Sequence, residues 1–506
     1  FGDRATFASA IGARGAQALG VSPVHALFAA DPSRYSPYAP SSRLFLNSLY
    51  ADPDVIFGEA TAATQRTQDD LIDWTAAGPA KLARLRTAYQ RLIDQGGDAL
   101  VAFHEFRRDG GRDLERHARF EALHAAFFAK IGARGWQDWP QDFHDPEGLA
   151  VSDFVRAHAD DVTFHVFLQW LADAGLARAQ AAARASGMSV GLIADLAVGL
   201  DAGGSQAWSR PNDLIKGANV GAPPDIFQPL GQDWGIAALS PEALRDSGYD
   251  AFLATLRRAL RHAGGVRIDH AMGLRRLWLT PHGASPAEGA YLTYPFEDLL
   301  RLIALESYRA QAIVIGEDLG TVPAGFREAL HGKGGLGMSV LWFERDETGG
   351  AFLAPQAWSA DAAALTTTHD LPTVAGWWSG RDIDWQARLG QGGDDDIAKA
   401  RAARGADRGQ LWDAGLAAGV AAGPQPAPQT PDQAVDAVVA YVAASACPLA
   451  IVPIEDLAGL EEQPNRPGTI DEHPNWRRRL PAPADKLLEA PAVAARVAAL
   501  SKARPV

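Results

Sequence analysis

Residues 264–273 read GGVRIDHAMG, and how they are read decides the fold. Two glycines and a valine lead into Arg267, Ile268, Asp269 and His270, after which the chain returns to small residues. Side chains alternate along a strand, so Arg267 and Asp269 share one face while Ile268 packs on the other. Such a pair is either a structural ion pair at a strand end or part of a site. An arginine neighbour favours the ionised carboxylate. That suits a nucleophile or a charge stabiliser better than a proton donor.

The same pattern recurs on both sides of it. Short apolar runs ending in polar or glycine-bearing residues lie at 16–22, 190–201 (VGLIADLAVGLD), 312–320 (AIVIGEDLG), 337–345 (GMSVLWFER), 362–370 (AAALTTTHD) and 447–457 (CPLAIVPIEDL). Helical patterns such as DAFLATLRRALRHA and PFEDLLRLIALESYRA separate several of them. Strand and helix alternating at this rhythm predict an α/β fold with parallel strands. The polar residues follow the strands, at the carboxyl ends where such folds place their sites. Residues 4–15 (RATFASAIGARG) predict a helix closed by glycine. Residues 59 to about 186 are mainly helical in pattern, and 386–434 are rich in Ala, Gly, Gln, Asp and Pro, which predicts a helical excursion with a surface-lying linker.

The expected division is therefore a barrel start at 1–58, a helical insertion at 59–188, the catalytic barrel at 189–385 with a lid loop at 221–235, the excursion at 386–434 and the barrel end at 435–506. The chain has 506 residues, too many for one simple core, so an elaborated domain or two domains are expected. Against 61 acidic residues stand 47 Lys and Arg, a net charge of −14, which disfavours nucleic acid and anionic membrane as partners. The single cysteine, Cys447, has no internal disulfide partner and fits a reducing, cytoplasmic compartment. No apolar run reaches the roughly 20 residues of a membrane span, and no signal peptide is visible.

Two further strand ends resemble the first. Glu317 and Asp318 follow a strand 48 positions after Asp269, and His369 and Asp370 follow another 53 positions after Glu317. A βαβ unit takes about 30 or more residues, so each gap admits one or two units. Carboxylates converging at one end of a parallel barrel fit glycoside hydrolysis or transfer, where one attacks the anomeric carbon and another protonates the leaving oxygen. A metal site is the rival chemistry. Arg267 argues against it, because its charge already occupies the place of a cation. No metal and no cofactor are expected.

VRIDHAMGL, GEDLGTVP and THDLPT, in this order, resemble the 4-alpha-glucanotransferases known as amylomaltases, glycoside hydrolase family 77 of the alpha-amylase clan. YSPYAPSSRLFLNSLY (35–50), GAPPDIFQPLGQDWG (221–235) and PNRPGTIDEHPNWRRRL (464–480) resemble the same family, and the likeness runs from Phe1 to about Leu480. It implies a (β/α)8 TIM-type barrel with helical insertions that moves α-1,4-glucan segments between malto-oligosaccharides. By the resemblance Asp269 is the nucleophile, Glu317 the general acid/base and Asp370 the transition-state stabiliser. Tyr38, Asn47, Asp195, Trp208, Arg267 and His369 are implied sugar contacts, as are Asp225, Phe227 and Trp234 of the lid. His270 is expected to support the site from behind, Trp377 and Trp378 to pack in the core or stack on sugar, Glu455 and Asp456 to cap a strand end, and PNWRRRL to play a structural part. Amylomaltases open their barrel with a strand and a glycine-rich loop, and FGDRATF resembles the tail of that loop. The resemblance thus implies a first barrel strand before Phe1. A retaining hydrolase and an inactive glucan-binding fragment are the alternatives.

Overall fold

The computed structural model describes residues 1–58, 69–224, 230–346 and 350–505. The chain forms two compact units. The first comprises Phe1–Ser9 and Gln17–Phe326, the second Ala10–Ala16 and Arg327–Val506. The division falls inside the segment 189–385.

Seven short strands carry the sequence-predicted runs: β1 (Ala18–Gly20), β2 (Gly191–Leu196), β3 (Gly265–Ile268), β4 (Ile313–Gly316), β5 (Gly337–Val340), β6 (Ala362–Leu365) and β7 (Leu449–Ile451). In the first unit β1, β2, β3 and β4 lie side by side in that order, every pair parallel. In the second unit β5, β6 and β7 form a parallel sheet. Parallel neighbours need long crossovers. Helix Asp250–Leu260 precedes β3 and helix Phe296–Ala310 precedes β4. No hydrogen-bonded ring closes among the described residues, and β1 has one strand partner there, β2. A strand before Phe1 stays an expectation of the sequence.

Burial explains the composition of β3. Val266 and Ile268 are buried on one face. On the other, a Cβ at Gly265 would stand 2.7 Å from the Ile313 side chain and 3.2 Å from that of Ile193. At Gly264 a Cβ would fall 1.8 Å from the Val190 carbonyl oxygen, so only glycine fits where the two backbones meet. The double glycine is thus a packing requirement.

The segment 69–188 holds helices Trp74–Gln95, Gly97–Ile131, Leu149–Ala157 and Ala159–Ala185. Asp73 caps the first by accepting from the N–H groups of Thr75 and Ala76. Leu85, Leu92, Phe103, Leu114, Phe167 and Leu171 fill the core between them. The second unit's core gathers Leu341, Trp358, Val374, Trp378, Trp412, Val435 and Tyr441. The 386–434 excursion contains helix Asp394–Ala417, and most of 421–430 is exposed.

One element is absent from the sequence reading. Strands Ala218–Ala222, Gln232–Ile236, Arg276–Pro281 and Ala290–Thr293 form a four-stranded antiparallel sheet in the first unit. The ends of the expected lid loop are therefore paired strand, with an irregular register between Val220 and Gly221. Among the described residues no helix is long and apolar enough to cross a membrane.

Candidate active site

The register of the first sheet builds the site. Asp195 on β2 lies directly opposite Arg267 on β3. Residues paired in a parallel ladder point to the same face, so the two side chains meet by construction. Arg267 Nη1 donates to Asp195 Oδ1 at 2.7 Å and to Asp269 Oδ1 at 3.0 Å. Tyr38, brought in by the segment before strand Ser42–Leu46, donates its hydroxyl to Asp195 Oδ2 at 2.6 Å. Burial opposes the charge of Arg267, yet Asp195, Asp269 and Tyr38 hold its guanidinium protonated well beyond the ordinary arginine range. Burial and then Asp195 keep the Tyr38 phenol protonated well above its usual range. The outcome is a fixed cation with two carboxylates on one nitrogen.

Glu317 stands at the end of the neighbouring strand. Its N–H donates to the Ile268 carbonyl at 3.0 Å, and its carbonyl accepts from Ala271 N–H at 2.8 Å, so backbone bonds lock the two strand ends on either side of Asp269. His270 has φ 44° and ψ 57°, a left-handed conformation uncommon outside glycine. This turn ends the strand, and the His270 N–H donates to Glu317 Oε2 at 2.8 Å. Leu319 N–H donates to Oε1, also at 2.8 Å. Burial pushes the Glu317 carboxyl above its ordinary range, outweighing the opposite pull of Arg267 and of the two N–H groups. The same cause lowers the pKa of the half-buried His270 imidazole, with Asp269 opposing. Its ring meets the indole of Trp234 edge to face at 5.2 Å, which ties strand Gln232–Ile236 to the end of β3. Trp234 Nε1 donates to Gln232 Oε1 at 3.2 Å.

The other expected residues fall differently. Trp208 is fully buried, its Nε1 donating to the Phe143 carbonyl at 2.9 Å and its ring packed against Phe120 and Trp139. It offers no face to a sugar, and the reading of it as a contact is corrected. Asn47 is 5% exposed and caps the turn Ser48–Tyr50 by accepting from Leu49 N–H at 3.0 Å. That oxygen is engaged within the fold. Asp225 and Phe227 lie outside the described residues. Trp377 and Trp378 are core, with Trp342 stacked on Trp377 at 4.7 Å.

In the second unit, His369 and Asp370 follow β6. Asn465 Nδ2 donates to Asp370 Oδ1 at 2.6 Å, His369 Nε2 lies 3.3 Å from Oδ2, and the Trp476 ring lies 5.3 Å from the His369 ring. The Asp370 side chain is 44% exposed. Asn465 and Trp476 were not singled out from the sequence, although both sit in the quoted segment 464–480. The polar spacing PNRPG…PNW was the available signal. Within the same segment Arg478 pairs with Glu462 at 2.9 Å, and Arg381 and Trp385 bind the same carboxylate, which makes this stretch a brace. Among the described residues no group of three or more His, Cys, Asp or Glu could hold a metal ion.

Parallel strands with carboxylates at their carboxyl ends, an arginine-held aspartate beside a buried glutamate, define an α/β enzyme equipped for glycosyl chemistry. The comparisons agree. The family model described as 4-alpha-glucanotransferase matches residues 1–485, and the chain belongs to that family. A 4-alpha-glucanotransferase of Mycobacterium tuberculosis is 38% identical over 496 residues, 93% of this chain and 67% of that protein. One from Haemophilus influenzae is 29% identical, over 96% of this chain and 73% of its own length. The crystal structure of amylomaltase from Corynebacterium glutamicum superposes with a TM-score of 0.84 at 29% identity, covering 98% of this chain and 71% of that one. Amylomaltase from Streptococcus agalactiae in complex with acarbose gives 0.79 at 18% identity, covering 98% and 93%, a likeness of fold alone. The chain accordingly shares the fold of these amylomaltases, a TIM-type barrel with helical insertions, and the described residues supply seven parallel strands without a closed ring.

Proposed function

We propose that this chain transfers α-1,4-linked glucan segments between malto-oligosaccharides by a retaining double displacement. Asp269 attacks the anomeric carbon and forms a covalent glycosyl-enzyme. Glu317 first gives a proton to the leaving oxygen and then takes one from the acceptor hydroxyl, the two roles that microscopic reversibility assigns to one group. Asp370 stabilises the oxocarbenium-like transition state. The observation that carries this reading is the pair at the ends of β3 and β4. One carboxylate is held by Arg267, and its neighbour Glu317 is buried so that its carboxyl titrates above its ordinary range. A carboxyl group raised by burial suits the proton donor, and a carboxylate held by an arginine suits the nucleophile.

Arg267, Tyr38 and Asp195 position the donor sugar, with Trp234 contributing from the antiparallel sheet and His369 beside Asp370. Asp225 and Phe227 keep their implied part in the lid. Transfer prevails over hydrolysis to the extent that the acceptor site excludes water. We place the enzyme in the cytoplasm, acting on maltodextrins and on glycogen- or starch-derived glucans.

Maltotriose incubation tests the reading. Transfer yields free glucose with a ladder of longer oligomers. Reducing ends without longer products would identify a hydrolase, and an unchanged substrate would mark a binding module. Proton NMR of the fresh products tests the stereochemistry, since an initial β-anomer from an α-linked donor contradicts double displacement.

A further inference from the structure

A buried carboxyl group in the second unit has no part in the proposed chemistry but touches the loop that carries it. Asp456 lies in helix Ile454–Ala458, just after β7, and is fully buried. Its Oδ2 accepts from the Thr366 hydroxyl at 2.5 Å and its Oδ1 from the Val374 N–H at 2.7 Å. Thr366 is the first residue after β6, and Val374 is the first residue of helix Val374–Ser379. The loop 366–374 between them holds His369 and Asp370. Its middle has ties of its own: Thr367 Oγ1 donates to the Pro372 carbonyl at 2.8 Å and accepts from Trp342 Nε1 at 3.2 Å, the His369 carbonyl accepts from Asn465 N–H at 3.2 Å, and Asp370 Oδ1 accepts from Asn465 Nδ2 at 2.6 Å, while Asp456 joins the two ends.

We propose that Asp456 is a positioning residue for the reaction, its carboxyl group clasping both ends of the 366–374 loop and thereby fixing where Asp370 stands. A lone carboxyl group is costly to bury, and a purely apolar side chain would fill the same space. What it supplies instead is one rigid bracket for two donors eight positions apart in sequence. Val374 N–H is one of the orphan donors of a helix start, which a carboxylate satisfies well.

The bracket works in either protonation state. Burial pushes Asp456 up to about 7, with Thr366 and Val374 pulling the other way, Glu455 of the same helix adding to the rise and Arg496 of helix Pro491–Ala503 opposing it. Ionised, the carboxylate accepts both bonds. Protonated, it donates to Thr366 Oγ1 and still accepts from Val374. An asparagine amide is the permanent counterpart of that second form, so it should preserve the bracket, whereas alanine leaves two buried donors without partners.

This inference rests on the reading of Asp370 as transition-state stabiliser, and the test separates the two. Asp456→Ala, Asp456→Asn, Thr366→Val and Asp370→Asn are assayed together for transfer from maltotriose, with kcat and KM resolved and thermal unfolding recorded. A displaced stabiliser affects the transition state more than ground-state binding, and misplacement by about 1 Å can cost about 100-fold. The expected result is a kcat about 10- to 100-fold lower for Asp456→Ala with KM within about twofold. Asp456→Asn should keep most of the wild-type kcat, and Thr366→Val, which loses one bond, should fall between them. Should the alanine variant not fold, Thr366→Val decides alone, and an unchanged kcat refutes the proposal. A wild-type kcat for Asp456→Ala beside an inactive Asp370→Asn also refutes it, leaving the role of Asp370 intact. Equal losses for Asn and Ala with KM moving in step would reduce Asp456 to a scaffold residue. Normal turnover by Asp370→Asn would remove the premise.

Discussion

Arg267→Met is the sharpest test of the carboxylate arrangement in the first unit. Methionine is similar in reach and carries no charge. A single nitrogen, Nη1, holds Asp195 at 2.7 Å and Asp269 at 3.0 Å, and the side chains of Arg267 and Asp269 are each 17% exposed. At an effective dielectric of about 20 each contact is worth about 5–6 kcal/mol of Coulomb energy before desolvation is subtracted. Removing one partner of such a buried cluster costs about 3–5 kcal/mol, because the two carboxylates lose the cation that offsets their burial. That is a large share of the roughly 5–15 kcal/mol typical of a folded domain. The urea midpoint should fall accordingly, and initial rates of transfer should drop at least about 100-fold as Asp269 loses its fixed orientation. Since both bonds leave from one nitrogen, the fork geometry of arginine is not essential here. Arg267→Lys should therefore recover more stability and more turnover than methionine does. Wild-type midpoint and turnover in the methionine variant would refute the reasoning.

Asp269→Asn should abolish transfer while far- and near-UV circular dichroism stay unchanged, because the amide keeps the shape but cannot attack carbon. Near-normal turnover would remove Asp269 from the mechanism. Burial raises the carboxyl of Glu121 to about 8, and this residue is 3% exposed. Its raised value means that the folded state keeps a proton which the unfolded chain loses above about 4.5, so this contribution to stability is full at low pH and is lost as pH rises to about 8. Glu121→Gln should remove a slope of at most about 1.4 kcal/mol per pH unit across that window, and identical slopes in urea titrations at several pH values would contradict it. Trp208→Ala should cost about 3–5 kcal/mol and leave KM for malto-oligosaccharides unchanged. A raised KM without loss of stability would restore it as a sugar contact.

The seven parallel strands were legible because each is a brief apolar run closed by glycine or a polar residue, and the resemblance then named the carboxylates. What the sequence concealed was long-range. Asp370 and Asn465 are 95 positions apart, and nothing local in either segment announces their bond. Trp208 was named by the resemblance alone, and nothing local shows its burial, because the aromatic cluster of Phe120 and Trp139 comes from the helical insertion. The antiparallel sheet was missed for another reason. Gly-Ala-Pro-Pro and Leu-Gly-Gln look like turn chemistry, and tertiary pairing with Arg276–Pro281 overrides that local preference.

The two backbone donors on Glu317 carry a consequence for mutagenesis. Neither N–H belongs to a side chain, so replacing His270 or Leu319 with alanine leaves both bonds in place. Alanine scanning would pass over the cradle, and homologues could vary at 319 while orienting the same carboxyl group, although the left-handed backbone at 270 narrows the choice there. At 319 the bond is robust to substitution and vulnerable to one kind of residue, an imino acid. Proline at 319 deletes the donor to Oε1, and directed-evolution libraries of this enzyme should therefore tolerate nearly every residue there except that one.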